Sequence, residues 1–406
     1  MSLNAKACIV GAYEHPVRQA DDLSVLRLHA DVAIGALADA GLSREDIDGY
    51  FCAGDAPGLG TATVAEYLGL KLRHVDSTEC GGSAPILHVA HAAEAIAAGR
   101  CNVALITLAG RPRAQMAAAQ AAAKSAREAG KPPVKAPLAL KPPDPDAPEL
   151  AFELPYGPAT QNLYALVAQR HMHEFGTTSE QLAWIKVAAS QHAQHNPHAL
   201  LRNVVTVEDV VNSPMVSHPL HRLDCCVMSD GGGALIVARP EIARTLRRPV
   251  VMVRGTGEAP KHGMGGRIDL TYSAAAWSGP MAFAEAGVTP ADIQYASLYD
   301  SFTITVLMQL EDLGFCKKGE GGRFVMDGNL ISGVGRLPFN TDGGGLCNNH
   351  PANRGGITKV IEAVRQLRGE AHPAVQVPNC SLALASGIGG ALASRHTAAT
   401  LILERV

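Results

Sequence analysis

Aromatic side chains, an excess of one charge and long apolar runs are all scarce in this chain of 406 residues. Aromatic residues make up 4% of the sequence and charged residues 18%, and the formal net charge is -3. A surface of this balance offers no electrostatic footprint for nucleic acid. No apolar run approaches the roughly 20 residues that a membrane helix requires, and the first residues do not read as a secretory signal. We therefore expect no nucleic-acid partner and no membrane segment.

Metal-binding and disulfide patterns are also missing. The nine cysteines are odd in number and never form a CxxC pair, so neither a zinc site nor a disulfide framework is predicted. We expect seven or more of the nine to be small buried residues, in a reducing, cytoplasmic setting. The histidines within 171–173 and 192–198 lack a carboxylate or cysteine to complete a ligand set, and we expect no metal.

Glycine is abundant, with 41 residues, and 47% of the chain is hydrophobic, which is typical of a well-buried globular protein. This length suits two domains or one duplicated domain. Strand and helix patterns alternate along the chain. ACIVGAY (7–13) predicts a buried strand, and residues 23–42 predict an amphipathic helix that stops at Gly41. We therefore expect an α/β protein.

The second half of the chain repeats the first in outline. ADAGLSREDIDGYFC, within residues 29–52, aligns with AEAGVTPADIQYASLYD, within residues 278–302. In both segments a helix stops at a glycine and a strand follows. We predict two similar halves, 1–246 and 247–406, which pack as layers and bind ligands where the strand ends converge.

A long insertion interrupts the first half. It begins with an Ala-rich helical pattern, and the segment 131–149 that follows is too rich in proline for a continuous helix or a central strand. We interpret residues 111–225, approximately, as a loop domain. The Pro-rich segment is either a surface excursion that acts as a lid or a flexible linker, and the sequence leaves both open.

Two loops occupy equivalent places in the two halves. Cys80 precedes a helical pattern that reaches Gly99 after 19 residues, and His350 precedes one that reaches Gly369 after the same 19. Each loop therefore lies at a helix N-terminus. Pseudo-symmetry predicts that the two helix starts meet at one site, where the chemistry should be sought.

Each of these loops offers one reactive side chain. Cys80 is a candidate nucleophile for a thioester carbonyl, because free N–H groups and the helix dipole lower the pKa of a thiol at a helix start. His350 lies between Asn349 and Pro351 in a glycine-rich run, where it could polarise a carbonyl or transfer protons. The alternative for each is a purely structural residue.

Taken together, these runs resemble the thiolase superfamily, in particular the sterol-carrier-protein-type thiolases, over essentially the full length. SLYDSF is similar to the start of the segment that those enzymes write as HDCF, and GGGLCNNHPANRGG is similar to their loop containing GHP. VDSTECGGSAPILHVAHAAEAIAAG resembles their nucleophile loop and its helix. The resemblance implies a thiolase fold, which is a duplicated five-layer α/β/α/β/α arrangement with a loop-domain insertion.

The resemblance also assigns roles to single residues. His350 matches the histidine of GHP, which helps to hold the thioester oxyanion, and Asn349 replaces the glycine before it. Tyr299 stands at the histidine of HDCF, with Asp300 behind it, and Ser386 falls in the last catalytic loop. The coenzyme A thioester is assigned to the glycines Gly344, Gly345, Gly387 and Gly389.

The register of the nucleophile is the main departure from the family pattern. Cys80 falls in the nucleophile loop, but an ungapped alignment puts Gly82 at the nucleophile position. A two-residue insertion is needed to bring Cys80 there. A tyrosine in YDxF is also similar to thiolase-like steroid side-chain aldolases, which use no nucleophilic cysteine but do not keep an NHP-type loop.

Three functions are compatible with the resemblance. The first is an acyltransferase that makes or cleaves a C–C bond, by β-ketoacyl-CoA thiolysis or C-acylation, through an acyl-enzyme on Cys80. The second is a retro-aldolase on a β-hydroxyacyl-CoA, with Tyr299 transferring a proton and His350 polarising the thioester. The third is a non-catalytic acyl-CoA-binding subunit. The resemblance further implies coenzyme A thioester as substrate with no bound cofactor, a homodimer, and a possible zinc-ribbon/OB-fold acyl-CoA-binding partner.

Overall fold

The computed structural model describes residues 3–53, 56–129, 153–157 and 159–406. The Pro-rich segment 131–149, for which a lid or a linker was predicted, lies outside the described residues. Within the described residues, every helix is too short or too polar to cross a membrane.

The strands, in chain order, are β1 (Cys8–Glu14), β2 (Gly49–Phe51), β3 (His74–Asp76), β4 (Val103–Gly110), β5 (Met215–Ser217), β6 (Leu220–His221), β7 (Gly231–Ala238), β8 (Val251–Lys261), β9 (Tyr295–Leu298), β10 (Leu382–Gly390) and β11 (His396–Arg405). The helices are α1 (Val25–Ala40), α2 (Thr61–Leu68), α3 (Ala84–Ala97), α4 (Pro112–Glu128), α5 (Thr160–Phe175), α6 (Ser179–Ala193), α7 (Val207–Val211), α8 (Pro240–Ala243), α9 (Ala275–Ala286), α10 (Thr303–Asp312), α11 (Gly321–Phe324), α12 (Gly344–Cys347) and α13 (Gly356–Arg368). Short 3₁₀ turns precede α3, at Gly81–Ser83, and α13, at Ala352–Gly355.

Nine of these strands form one mixed sheet in the order β3-β2-β4-β7-β1-β8-β11-β10-β9. The first five belong to the first half of the chain and the last four to the second half. The halves are joined where β1 pairs with β8, at Cys8 opposite Met252 and Ile9 opposite Val251. β5 and β6 form a separate two-stranded ribbon in the insertion.

Two helices lie between the two halves. The apolar side chains of α3 and α13 share one core with strand residues of both halves, and 12 residues of α13 are buried. A helix that is buried on all sides needs small or apolar residues all round, as the Ala-rich sequence of α3 provides. α1 and α2 cover the other face of the first half, and α9 and α10 cover that of the second. The predicted five-layer α/β/α/β/α fold is therefore confirmed.

The sequence repeat has a visible local cause. Ser24 caps α1 by accepting the N–H of Arg27, and α1 ends at Gly41, which adopts the left-handed conformation that glycine favours. α9 ends in the same way at Gly287, and α13 at Gly369. Each glycine stop then directs the chain into the next segment, which positions the strand ends of both halves.

The cysteines differ from expectation. Five of the nine are buried, fewer than the seven expected, while Cys80, Cys225, Cys226 and Cys316 are partly exposed. All nine are free thiols. Partial exposure of Cys80 and Cys226 follows from their place in the loops that border the centre described next.

Candidate active site

Tyr299 and His350 form the centre of the site. The Tyr299 hydroxyl lies 3.1 Å from Nε2 of His350, and the two rings are tilted by 60° with centroids 5.5 Å apart. Tyr299 follows β9 directly. Its N–H donates to the carbonyl of Ser386 at 2.9 Å, and its carbonyl accepts from Nε2 of Gln309 at 2.6 Å. The backbone of Tyr299 is therefore fixed on both sides, which fixes the phenol against the imidazole.

Both members of this pair are neutral near pH 7. Burial raises the pKa of Tyr299 well above its usual value, so the phenol keeps its proton. Burial also lowers the pKa of His350 to about 4; the charge of Lys359 lowers it further and Asp300 opposes the change. A neutral imidazole next to a protonated phenol can accept a proton from it and return it.

Asp300 lies behind Tyr299, as expected, but its hydrogen bonds go to the histidine loop and to Lys359 rather than to the phenol. Its carboxylate is fully buried and accepts the backbone N–H groups of Gly345, at 2.8 Å, and Leu346, at 3.1 Å. Nζ of Lys359 completes its coordination at 2.7 Å. Asp300 therefore holds the turn that leads to His350.

Asn349 is also used inside the protein. Its side-chain amide donates to Glu14 at 2.9 Å, and its amide oxygen accepts from the hydroxyl of Ser229 at 2.7 Å. The N–H of His350 donates to the same Ser229 oxygen at 2.8 Å. Asn349 therefore anchors the histidine loop, and its amide is already engaged.

Gly82, rather than Cys80, faces the phenol. A Cβ atom on Gly82 would overlap the Tyr299 ring and the carbonyl of Ile388, and a Cβ on Gly356 would overlap the carbonyl of Gly82. The starts of α3 and α13 thus meet at Tyr299. The space that a side chain at position 82 would fill is occupied by the phenol.

Cys80 lies two residues before this contact. Its carbonyl accepts from the hydroxyls of Ser83, at 2.7 Å, and Thr397, at 3.1 Å. Among the described residues, no hydrogen bond joins its side chain to Tyr299 or His350. The role of Cys80 as a nucleophile remains a prediction.

The expected lowering of the Cys80 pKa is wrong. Burial raises the pKa of this thiol, and the carboxylates of Glu79 and Glu258 raise it further, against a hydrogen bond from Thr397 that lowers it. In addition, the side chain of Glu79 accepts the N–H of Gly81 at 2.9 Å. The helix start is therefore already capped by a carboxylate, and it does not favour a thiolate.

The remaining predicted residues pack against the backbone around the two loops. Gly387 packs beneath the carbonyl of Gly82 and Gly389 beneath that of Cys80, where a Cβ would overlap the backbone. Ser386 gives its carbonyl to Tyr299, while its buried hydroxyl has no hydrogen-bond partner within the described residues. The glycines that precede His350 are packed likewise, with Gly344 and Gly345 against Asp300. Their part in binding a coenzyme A thioester remains a prediction.

Sequence reasoning missed two groups near the phenol. Tyr164, on α5, stacks on Phe302 at 4.4 Å and donates to the carbonyl of Gly390 at 2.9 Å. Burial is the largest cause of the raised Tyr299 pKa. Repulsion from Tyr164 and Cys226, were they ionised, comes next. Tyr164 belongs to the insertion and Cys226 follows its last residue directly, so the insertion contributes to the surroundings of the phenol. The run LDCC before Ser229 was the available signal, since it returns from the insertion to the sheet.

No metal centre accompanies these residues within the described ranges, since no group of three or more His, Cys, Asp or Glu side chains there is arranged to hold an ion.

The chain is similar to proteins of known family. Residues 257–405 match the family model described as thiolase C-terminal domain-like. An acetyl-CoA acetyltransferase of Methanothermobacter thermautotrophicus is 40% identical over 260 residues, which are 63% of this chain and 66% of that protein. A 17-hydroxy-3-oxo-4-pregnene-20-carboxyl-CoA lyase of Mycobacterium tuberculosis is 33% identical over 411 residues, covering 95% of this chain and 98% of that protein.

A solved structure shows similarity over almost the whole chain. It is titled Ltp2-ChsH2(DUF35) aldolase, and it superposes with a TM-score of 0.86 at 32% identity. The match covers 99% of this chain and 98% of that one. A lyase and an aldolase are thus among the relatives above 30% identity that match nearly end to end. A solved acetyl-CoA acetyltransferase of Syntrophomonas wolfei also covers 99% of this chain, with a TM-score of 0.67, but at 13% identity it shows the fold alone.

Proposed function

We propose that this chain, which belongs to the thiolase superfamily, cleaves the Cα–Cβ bond of a β-hydroxyacyl-CoA by a retro-aldol reaction. One observation carries the proposal: the Tyr299 phenol, bonded to His350 at 3.1 Å, fills the space beside Gly82. In an ungapped alignment with thiolases, position 82 is where acyl transfer would need a thiol, and the phenol fills the space that such a side chain would occupy. The lyase and the aldolase that match almost end to end support the same choice.

The proposed reaction needs only proton transfer and stabilisation of an enolate. Tyr299 accepts the proton of the substrate β-hydroxyl while it passes its own proton to Nε2 of His350. The oxygen electron pair forms a carbonyl, the Cα–Cβ bond breaks, and its electrons pass into the thioester as an enolate. The proton then returns from His350 through Tyr299 to Cα. The products are a ketone or aldehyde and a shortened acyl-CoA.

The protonation states support these roles. His350 is neutral at rest because burial lowers its pKa to about 4, so its ring can accept the proton. The same lowering makes the imidazole a weak base, so the proton leaves it again readily. Once protonated, its positive charge lies next to the forming enolate and stabilises it, as the histidine of the thiolase GHP loop stabilises an oxyanion. The phenol keeps its proton until the substrate delivers another, because its pKa is raised.

Incubation with a β-hydroxyacyl-CoA whose β-carbon is tertiary tests the proposal. We expect equal amounts of ketone and shortened acyl-CoA, measured by mass spectrometry, and no product from the Tyr299→Phe variant. Release of acetyl-CoA from a β-ketoacyl-CoA and free coenzyme A, with no cleavage of the hydroxy substrate, would overturn it.

Acyl transfer through Cys80 is the second candidate, favoured by the 40% identity to an acetyl-CoA acetyltransferase. Intact-mass measurement after incubation with an acyl-CoA tests it, because an acyl-enzyme adds the mass of the acyl group to the chain. A protein that turns over neither substrate alone, and only when a second subunit with its own site is present, would be the non-catalytic subunit.

We also propose two partners. The first is a zinc-ribbon/OB-fold protein that binds acyl-CoA, supported by the solved aldolase whose title pairs Ltp2 with a DUF35 protein. The second is another copy of this chain. Among the described residues no strand pairs with the outer edge of β3, and Val75 on it is 51% exposed, as in an edge that pairs with another strand. The nine free thiols suit a reducing cytoplasm.

A further inference from the structure

Ser229 is a buried residue that contacts the histidine loop at three points. It is 0% exposed and lies two residues before β7. Its hydroxyl oxygen accepts the N–H of His350 at 2.8 Å and its hydroxyl proton is donated to Oδ1 of Asn349 at 2.7 Å. Its own N–H points to the carbonyl of His350 at 3.5 Å. Every polar group of the Ser229 side chain is therefore engaged with the residues that carry the imidazole.

Besides Ser229, one other backbone hydrogen bond among the described residues holds His350 within the histidine loop: its carbonyl accepts the N–H of Ala352 at 2.8 Å. Pro351 follows His350 and has no N–H to donate, and the loop crosses from α12 to the turn before α13 without joining a strand. The ring itself is confined: a Cβ on Gly345 would come within 2.9 Å of His350 Cδ2, and a Cβ on Gly355 within 3.2 Å. The ring therefore has little room beside the loop, and its position depends on that of the backbone at His350.

Through Asn349, Ser229 is also connected to a buried ion pair. The Asn349 amide donates to Oε1 of Glu14 at 2.9 Å, and the same oxygen accepts from Nη2 of Arg18 at 2.7 Å. Arg18 also donates to both oxygens of Asn348, at 3.2 and 2.8 Å. The loop is thus held from one side by this ion pair and from the other by Ser229.

Ser229 is also fixed by its neighbour in the chain. Asp230 is buried, and its carboxylate accepts N–H groups from Ala20 at 2.8 Å and from Arg113 at 2.8 Å. Its own N–H donates to the carbonyl of Arg18 at 3.0 Å. Ser229 therefore has little freedom to follow the histidine loop if that loop moves.

We propose that Ser229 is a positioning residue, which holds the backbone of His350 so that Nε2 meets the Tyr299 hydroxyl. This inference rests on the proposed function for its effect on turnover. Ser229 touches no substrate in this account; it acts on the distance between the two groups that exchange the proton.

Ser229→Ala tests the proposal by turnover. Because misplacement of a reacting group by about 1 Å can cost about 100-fold, we expect kcat to fall about 10- to 100-fold and KM to change less than twofold. In the His350→Ala background the same substitution should lower the residual rate less than twofold. Ser278→Ala is the matched control. Ser278 is a buried residue of α9, in an outer helix layer, and the substitution removes one hydroxyl contact, to Thr400 at 2.9 Å. An equal loss in both backgrounds would overturn the proposal.

A second measurement does not depend on the substrate. The ¹⁵N signals of the His350 ring, assigned by their loss in His350→Ala, should shift in Ser229→Ala, while those of the exposed His198 stay unchanged. Unchanged His350 signals would overturn the positioning role. Shifted signals in a protein that cleaves no β-hydroxyacyl-CoA would instead sustain the positioning role and overturn the proposed function. If Ser229→Ala does not fold, Ser229→Cys, whose thiol makes longer and weaker hydrogen bonds, should give an intermediate shift.

Discussion

The loop before α3 and the loop before α13 hold equivalent places in the two halves, but they are built in different ways. The first ends in Gly81 and Gly82, and what it brings to the centre is backbone. The second brings the His350 imidazole, supported by Asp300, Ser229 and their partners. The duplicated fold thus brings two helix starts to one point, and in this chain the first contributes backbone while the second contributes an imidazole.

The two loops also differ in how burial acts on their candidate groups. Burial raises the pKa of the Cys80 thiol, which disfavours the reactive thiolate. Burial lowers the pKa of His350 to about 4, which favours the neutral imidazole that a base requires. The same desolvation therefore disfavours the charged form in both loops: it withholds the reactive thiolate of Cys80 and keeps the imidazole of His350 neutral.

Removing either member of the Tyr299–His350 pair should have the largest effect. Tyr299→Phe deletes the hydroxyl that Nε2 of His350 meets, and His350→Ala deletes the proton acceptor. Each should lower kcat for the retro-aldol reaction by about 10²- to 10⁴-fold, the usual contribution of a positioned acid or base. Steady-state kinetics check this, with Tyr67→Phe, on an exposed tyrosine, as control. A fall of less than about tenfold for either variant would show that another group carries the proton transfer.

Breaking the support of the second loop should come next. Asp300→Asn leaves the buried ammonium of Lys359 without its carboxylate at 2.7 Å. Removing one partner of a buried ion pair typically costs about 3–5 kcal/mol, and urea unfolding should show a loss of that order. Glu241→Gln breaks an exposed pair with Arg239 and should leave the unfolding curve unchanged. Equal stability of Asp300→Asn and the parent protein would mean that Asp300 does not hold this loop.

Adding a side chain to the first loop should have a smaller but clear effect. In Gly82→Ala the new methyl group overlaps the Tyr299 ring, and overpacking of this kind costs about 1–3 kcal/mol. We expect this loss in thermal unfolding and a fall in kcat as the phenol leaves His350. Gly263→Ala, where a Cβ meets no atom within 4 Å, is the control. Full activity of Gly82→Ala would show that the phenol does not depend on the first loop.

The acidity of the medium should matter little over a wide range. Since the folded pKa of His350 is lowered to about 4, the imidazole stays neutral as the pH falls from 7 to about 5, and kcat should stay within about twofold. Below pH 4 the protonated form predominates and kcat should decline. A pH–rate profile measured by initial rates at saturating substrate checks this. A decline centred near the ordinary histidine pKa of about 6.5 would show that His350 is not buried as described.

Much of the second loop could be predicted from sequence because its signals are local. The glycine run, the histidine before a proline and the stop at Gly369 are all within reach of periodicity and helix-end rules. The repeat also predicted that the helix starts of the two halves meet. These features depend on neighbours a few residues apart, which the sequence shows directly.

The supports of the site could not be predicted in this way. Ser229 is 121 residues from His350 in sequence, and Glu14 is 335 residues from Asn349, so no spacing rule connects them. The pKa of Cys80 was wrongly expected to fall because helix-start rules omit burial and the carboxylates of Glu79 and Glu258. Desolvation is a property of the packed molecule, and a sequence pattern does not reveal it.

Cys80→Ala gives the smallest expected effect and the most direct test that chemistry runs from the second loop. The variant keeps Gly82 and the Tyr299–His350 pair intact. The rate of ketone and shortened acyl-CoA release from a β-hydroxyacyl-CoA should be within about twofold of the parent protein, and intact-mass analysis of the parent protein should find no acyl adduct. Loss of turnover in Cys80→Ala, together with an acyl group on Cys80 in the parent, would contradict the account and restore the first loop as the centre of catalysis.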